Sequence, residues 1–265
     1  MIESLSKILV ANGLSPDSFV QSDDDEKIFR GELPAGRVME TWIKLAGAAS
    51  ETKYWPIIRG AVDDDYEPVE CDADAILASV PTGCIREILN PRMEERREQL
   101  SEMMPEFAQA ADMDELGRLA DIKGINLFGA HVEEPWPTEA PERVRFHSVS
   151  ELKGRPAVVL LVRVEHSYDV PAHLGFGGWN DCPAPELQVA VLREWHKKYN
   201  AVPACITGDV LECALVKRPQ TEQEAMKLAA EQWIFCDDIV SQGTQTVRKL
   251  AMEIWRSPNW FFWWD

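Results

Sequence analysis

One run of residues constrains the fold more than any other stretch. Ala157-Val158-Val159-Leu160-Leu161-Val162-Arg163-Val164 is apolar at every position except Arg163. A strand wetted on one face alternates apolar with polar residues, whereas an unbroken apolar run belongs to a strand covered on both faces. The chain must therefore fold a sheet between two layers, with this strand near its middle. Other segments supply candidates for both. Residues 2–13 read as a short helix stopped by Gly13, and Val38, Trp42, Leu45 and Ala49 share one helical face. Residues 28–33 and 54–58 read as strands, and Pro56 argues that the second is an edge or only beginning. Beyond the run, Pro185 suits a first helical position, with Leu187, Val191 and Trp195 as a stripe behind it. Thr207-Gly208-Asp209 turns a hairpin between residues 203–206 and 210–216. Thr221 to Glu224 forms a capping box for a helix interrupted at Cys236-Asp237-Asp238, and a last helix carries Val247, Leu250, Ala251 and Ile254. This is an α/β or α+β chain with a mixed β-sheet and flanking helices.

Between these parts, residues 63–150 have weaker apolar periodicity and more charge, as in Glu94-Glu95-Arg96-Arg97-Glu98. They read as a peripheral, acidic, helical insertion in a single domain of residues 1–265, with 151–265 as its core region. Asp63-Asp64-Asp65 lacks the spacing and distal glutamate of a calcium loop and reads as a solvated turn. The C-terminal Trp260-Phe261-Phe262-Trp263-Trp264-Asp265 puts large aromatics on both faces of any strand it forms, which predicts a final strand buried on both sides.

Charge narrows the partners. Net charge is −18, and residues 1–150 carry 30 acids against 15 Lys/Arg, while the remainder carries 15 against 12. Such a field repels nucleic acid and anionic lipid and admits a basic protein. No signal-peptide pattern opens the sequence and no 18-residue apolar run occurs, so a cytoplasmic location is expected. The six cysteines form no CxxC pair and read as reduced, mostly buried thiols.

Chemistry concentrates in Gly175-Phe176-Gly177-Gly178-Trp179-Asn180-Asp181-Cys182-Pro183, a glycine-rich turn placed before a helix. Glycines so close together permit positive φ and close backbone approach. An enzyme reading starts at Cys182, whose place before a helix N-terminus would lower a thiol's pKa, with His173 or His196 as base and Asp181 or Asp238 orienting it. A structural reading makes the turn rigid, with Trp179 in the core and Asn180 or Asp181 holding loop amides. The turn has neither phosphate-loop spacing nor a basic cluster, and His173, Asp181, Cys182 and His196 match no recognised metal set, so neither cofactor nor metal is expected.

Three pieces together resemble the bacterial domain-of-unknown-function family 4253: Gly177-Gly178-Trp179-Asn180-Asp181-Cys182-Pro183, then Cys236-Asp237-Asp238-Ile239-Val240 with Gln242-Gly243, and the aromatic C-terminus. The resemblance spans roughly residues 157–265 and, more weakly, 28–60. Where such proteins commonly carry Cys-Pro-Asp, this chain has Cys236-Asp237-Asp238. The resemblance implies a fold boundary and no activity. Two functions follow. One is a non-catalytic interaction protein whose acidic half meets a basic partner, an immunity protein that neutralises a toxin being one form. The other is a small-molecule enzyme or sensor with a cleft formed by Gly177, Gly178, Trp179, Asn180, Asp181, Cys182 and His173 together with Cys236, Asp238 and the C-terminal strand.

Overall fold

The computed structural model describes residues 1–22, 26–61, 71–123, 135–139 and 144–265; the acidic runs at 23–25 and 63–65 lie outside them. The chain opens with α1 (Glu3–Ala11), β1 (Val20–Gln21) and β2 (Ile28–Leu33). Next, α2 (Val38–Gly47) and the single turn α3 (Ala49–Thr52) lead into β3 (Tyr54–Ala61). Among the described residues, α4 (Ala73–Ala78), α5 (Ile85–Met103), α6 (Met113–Lys123) and α7 (His147–Glu151) follow, and then β4 (Ala157–Arg163). The last part runs α8 (Val170–Leu174), α9 (Pro185–Tyr199), β5 (Val202–Ile206), β6 (Val210–Ala214) and α10 (Glu222–Phe235), then a π-helical turn (Ile239–Thr244), α11 (Val247–Ile254) and β7 (Asn259–Trp263).

The strands form one mixed sheet in the order β1-β2-β4-β3-β5-β6-β7. Neighbours are antiparallel except β3 and β5, which run parallel and pair at Ile58↔Cys205. The apolar run lies where its composition demands. In β4, Leu160 and Val162 face one layer, and Ala157, Val159 and Leu161 face the other. The thicker layer draws on α5, α6 and α8 to α11; the thinner one on α1, α2 and the segment around α7. Helices on both faces of a mostly antiparallel sheet make this an α+β fold.

The helical span before β4 reaches into the thicker layer. α5 buries Ile88, Leu89, Met93 and Leu100 there, and α7 is pinned to the sheet by Glu212 of β6. That fully buried carboxylate accepts the backbone N–H of His147 at 2.6 Å and of Ser148 at 2.9 Å, two of the amides a helix start leaves without partners. Among the described residues no helix is long and apolar enough to cross a membrane.

Two expectations need correction. Pro56 does not mark an edge, since β3 lies between β4 and β5, although as the third residue of the strand it does stand near its start. The proline is tolerated because the β3–β5 ladder is confined to Ile58↔Cys205. Tryptophans occupy the space beside it, the Trp42 indole N–H donating to Pro56 O at 3.0 Å and that of Trp55 to Pro203 O at 2.7 Å. β7, for its part, ends the sheet instead of being enclosed. Trp260, Phe262 and Trp264 are at most 1% exposed, while Phe261 on the opposite face is 37% exposed. On the covered face, Trp195 stacks on Phe262 with ring centroids 5.4 Å apart and meets Trp260 edge-on.

Candidate functional site

The glycine-rich turn is shaped by its backbone. α8 ends at Gly175 in the left-handed region, and Gly177 takes φ +115°. A Cβ on Gly177 would lie 2.0 Å from the carbonyl oxygen of Pro183, so only glycine lets the two limbs of the turn touch. Gly178 N–H donates to the carbonyls of Cys182 and Pro183 at 3.1 and 3.2 Å, and Cys182 N–H to that of Trp179 at 2.8 Å. α9 then starts at Pro185. Phe176 anchors the turn in the core, edge-on to Trp179 and to Trp264 of the C-terminus.

The polar side chains of the turn are taken up by neighbouring segments. Asn180 Nδ2 donates to the backbone oxygen of Asp265 at 2.7 Å. Asp181 receives Arg92 at 2.9 Å and Arg96 at 3.4 Å, both from α5. Arg92 also donates to the main-chain oxygens of Asp181 and Ile234, tying α5 to the turn and to α10. Arg96 reaches on to Asp237 at 3.2 Å, which accepts the Trp233 indole N–H as well. Asp238 accepts Gln242 Nε2 at 2.9 Å and the backbone N–H of Asp265 at 3.0 Å, and the Cys236 thiol donates to Trp263 O at 3.1 Å. Thus the turn, the 236–238 break and the C-terminal strand do come together, with two arginines of α5 as the clasp.

The thiol chemistry runs against a nucleophile. Cys182 is buried, and its sulfur accepts a hydrogen bond from Gln188 Nε2 at 3.4 Å. Burial pushes the thiol up to about 12, ahead of the opposing effects of the Gln188 bond and the Arg92 charge. The expected lowering by the helix start is overturned by desolvation. Cys236 is likewise raised, again chiefly by burial. His196 cannot serve Cys182: its ring nitrogen lies 3.0 Å from Ala201 O, roughly 16 Å along α9 from its start at helical rise. His173 is buried in α8, near Asp169 and with its carbonyl facing the Cys71 thiol. Among the described residues no three His, Cys, Asp or Glu side chains are placed to hold a metal ion.

Sequence reasoning missed Arg92 and Arg96. Their i, i+4 spacing on one face of α5 was the available signal, hidden inside a charge-rich stretch that reads as solvated. Two cavities adjoin the clasp. One of about 150 Å³ lies behind it, bordered by Arg96, Leu100, Trp233, Asp237 and Val240. The other, of about 330 Å³, runs between β7 and the segment comprising the π-helical turn and α11. Phe261 and Trp263 border it and also a wider cavity of about 640 Å³ on the other side of the strand, with Arg59, His147 and Arg155.

No curated protein and no solved structure matches the chain. The segment from residue 158 to 265, which holds the turn, the Cys236 break and β7 but neither arginine of the clasp, matches the family described as Domain of unknown function (DUF4253).

Proposed function

We propose that this is a non-catalytic protein-interaction module of the bacterial cytoplasm, which uses its acidity to capture a basic protein, as an immunity protein does with a toxin. The observation that carries the reading is the commitment of the reactive groups. Asp181, Asn180, Asp237 and Asp238 each hold another part of the chain, and the thiol between them is buried and protonated. A turn used this way serves the fold, and function falls to the surface. The uneven charge, concentrated before residue 150, supports attraction of a basic protein and disfavours nucleic acid and anionic lipid.

The test is a tagged pull-down from the native cytoplasm at low and then moderate salt, with bound proteins identified by mass spectrometry. A stoichiometric basic partner released by salt is the expected result. A clean bait at low salt would reject the reading. A second reading, a small-molecule sensor, draws on the cavity of about 150 Å³ that shares Arg96 and Asp237 with the clasp. That volume suits a fragment-sized ligand. Under this reading Trp179→Ala and Asp181→Asn damage function more than charge reversal of the acidic surface does, and salt has little effect.

A further inference from the structure

Sheet edges are usually blunted by charge, proline or a bulge, because their unpaired backbone groups accept another strand. β7 ends the sheet among the described residues and carries none of these three devices; Ser257 Oγ takes up the N–H and carbonyl of Asn259 at its start, and the stretch around Phe261 is left for a partner. Residues 259–263 include no charge and no proline, and their register against β6 runs unbroken from Ala214↔Asn259 to Val210↔Trp263. Hydrogen bonds at its two ends, Leu215 N–H to Pro258 O and Trp264 N–H to Asp209 O, fix which groups face inward. In an antiparallel ladder the bonded positions alternate. Residues 260 and 262 therefore bond to β6, and the N–H and C=O of Phe261 point away from the sheet. Trp263 follows the same rule, its outward carbonyl receiving the Cys236 thiol.

Alongside this edge lies the groove of about 330 Å³. Ile239, Leu250 and Ile254 give it apolar walls, Asp238 and Glu253 are its ionisable residues, and no lysine, arginine or histidine lines it. We infer that β7 accepts an extended, lysine- or arginine-bearing segment of a partner protein as an additional strand. Its cations lie toward Glu253, the ionisable group of the groove that holds no other segment in the way Asp238 does, and its alternate apolar side chains rest on Phe261 and Trp263. Strand addition of this kind draws affinity from main-chain bonds and selectivity from alternate side chains. A second copy of the chain is disfavoured as occupant, since each copy carries −18. The inference rests on the reading of the chain as a module for a basic partner and names its docking surface.

The experiment uses the full chain and a fluorescein-labelled ten-residue peptide of alternating lysine and valine, followed by anisotropy and by amide hydrogen exchange at β7. Binding is expected to weaken between about 50 and 300 mM salt, and bound peptide to slow exchange at Phe261 about tenfold or more. Glu253→Lys, at an exposed position of α11, cancels the negative charge of the groove without touching the core. Phe261→Pro removes the outward N–H and no bond to β6. Each is expected to weaken binding about tenfold or more, a change of roughly 1.4 kcal/mol.

Unchanged binding by Glu253→Lys, or unchanged exchange at Phe261 in the presence of bound peptide, overturns the assignment. So does protection that appears without peptide and grows with protein concentration, which would give the edge to a second copy. The pull-down separates the two levels. Equal retention of one salt-released partner by the wild type and Glu253→Lys leaves the basic-partner reading standing and removes β7 from it. Peptide protection of β7 with a clean bait does the reverse.

Discussion

Cys182 sits two residues before the cap of α9, yet the start of that helix does not set its reactivity. Desolvation outweighs the dipole, and with the thiol pushed up to about 12 it stays protonated at pH 8. Iodoacetamide at that pH is expected to modify the exposed Cys84 while Cys182 stays unlabelled until the chain unfolds, as peptide mapping by mass spectrometry would show. Early labelling of Cys182 would revive the nucleophile reading. Glu231 offers a second test. It is 4% exposed, accepts the Trp195 indole N–H at 3.4 Å, and is raised above 4.5 chiefly by burial, with the charge of Lys198 opposing. A carboxyl raised in the folded state holds its proton to higher pH than the unfolded chain does. It costs nothing below the ordinary carboxylate range, opposes folding increasingly as pH climbs from that range to the raised folded value, and opposes it by a constant amount above. Glu231→Gln keeps the acceptor for Trp195 and removes the titration. Its Tm should exceed that of the wild type at pH 8 and match it at pH 4. A shift of equal size at both would show that the charge is not the cause.

Among the elements, the turn acts as a clasp between α5, α10 and the C-terminus, and its two inner glycines carry different loads. Gly177→Ala meets both positive φ and the Pro183 carbonyl and should cost about 3 kcal/mol in urea denaturation. At Gly178 only φ opposes a side chain, since the nearest atom to a Cβ is 4.0 Å away, and alanine should cost about 1 kcal/mol. Equal costs would mean the turn relaxes to absorb the clash.

The elements with local signals were legible in the sequence: β4 from its unbroken apolar run, the β5–β6 hairpin from Thr207-Gly208-Asp209, α9 from Pro185 and α10 from its expected capping box, of which Thr221 Oγ1 accepts Glu224 N–H at 3.1 Å while the Glu224 carboxylate takes the N–H of Gln220, one residue before the cap. Features set by distant partners were not. Pro56 suggests an edge or a strand start because nothing near it in sequence shows that β3 meets β5 at Ile58↔Cys205 or that the Trp42 indole takes the Pro56 carbonyl. The π-helical turn had no recognisable signature. The meeting of the turn with the 236–238 break could be anticipated from their shared chemical character, but the arginines that join them come from some 85 residues upstream of Asp181 in the case of Arg96.

For the molecule as a whole, stability depends on the last strand although it is an edge. Trp260, Phe262 and Trp264 plug the thicker layer against Trp195, Phe235 and Tyr199. Each such side chain is worth about 3–5 kcal/mol, against a total stability of roughly 5–15 kcal/mol. A chain ending at Ser257 should therefore show no cooperative thermal transition, as calorimetry would reveal; a soluble, sharply melting product would contradict the packing account. Strand order has a consequence for synthesis as well. β2 and β3 are both finished by residue 61, but the strand that pairs with each of them is β4, which begins at residue 157. At about 5–20 residues per second, translation leaves roughly 5–20 s in which two strands wait beside the ribosome for the one that joins them.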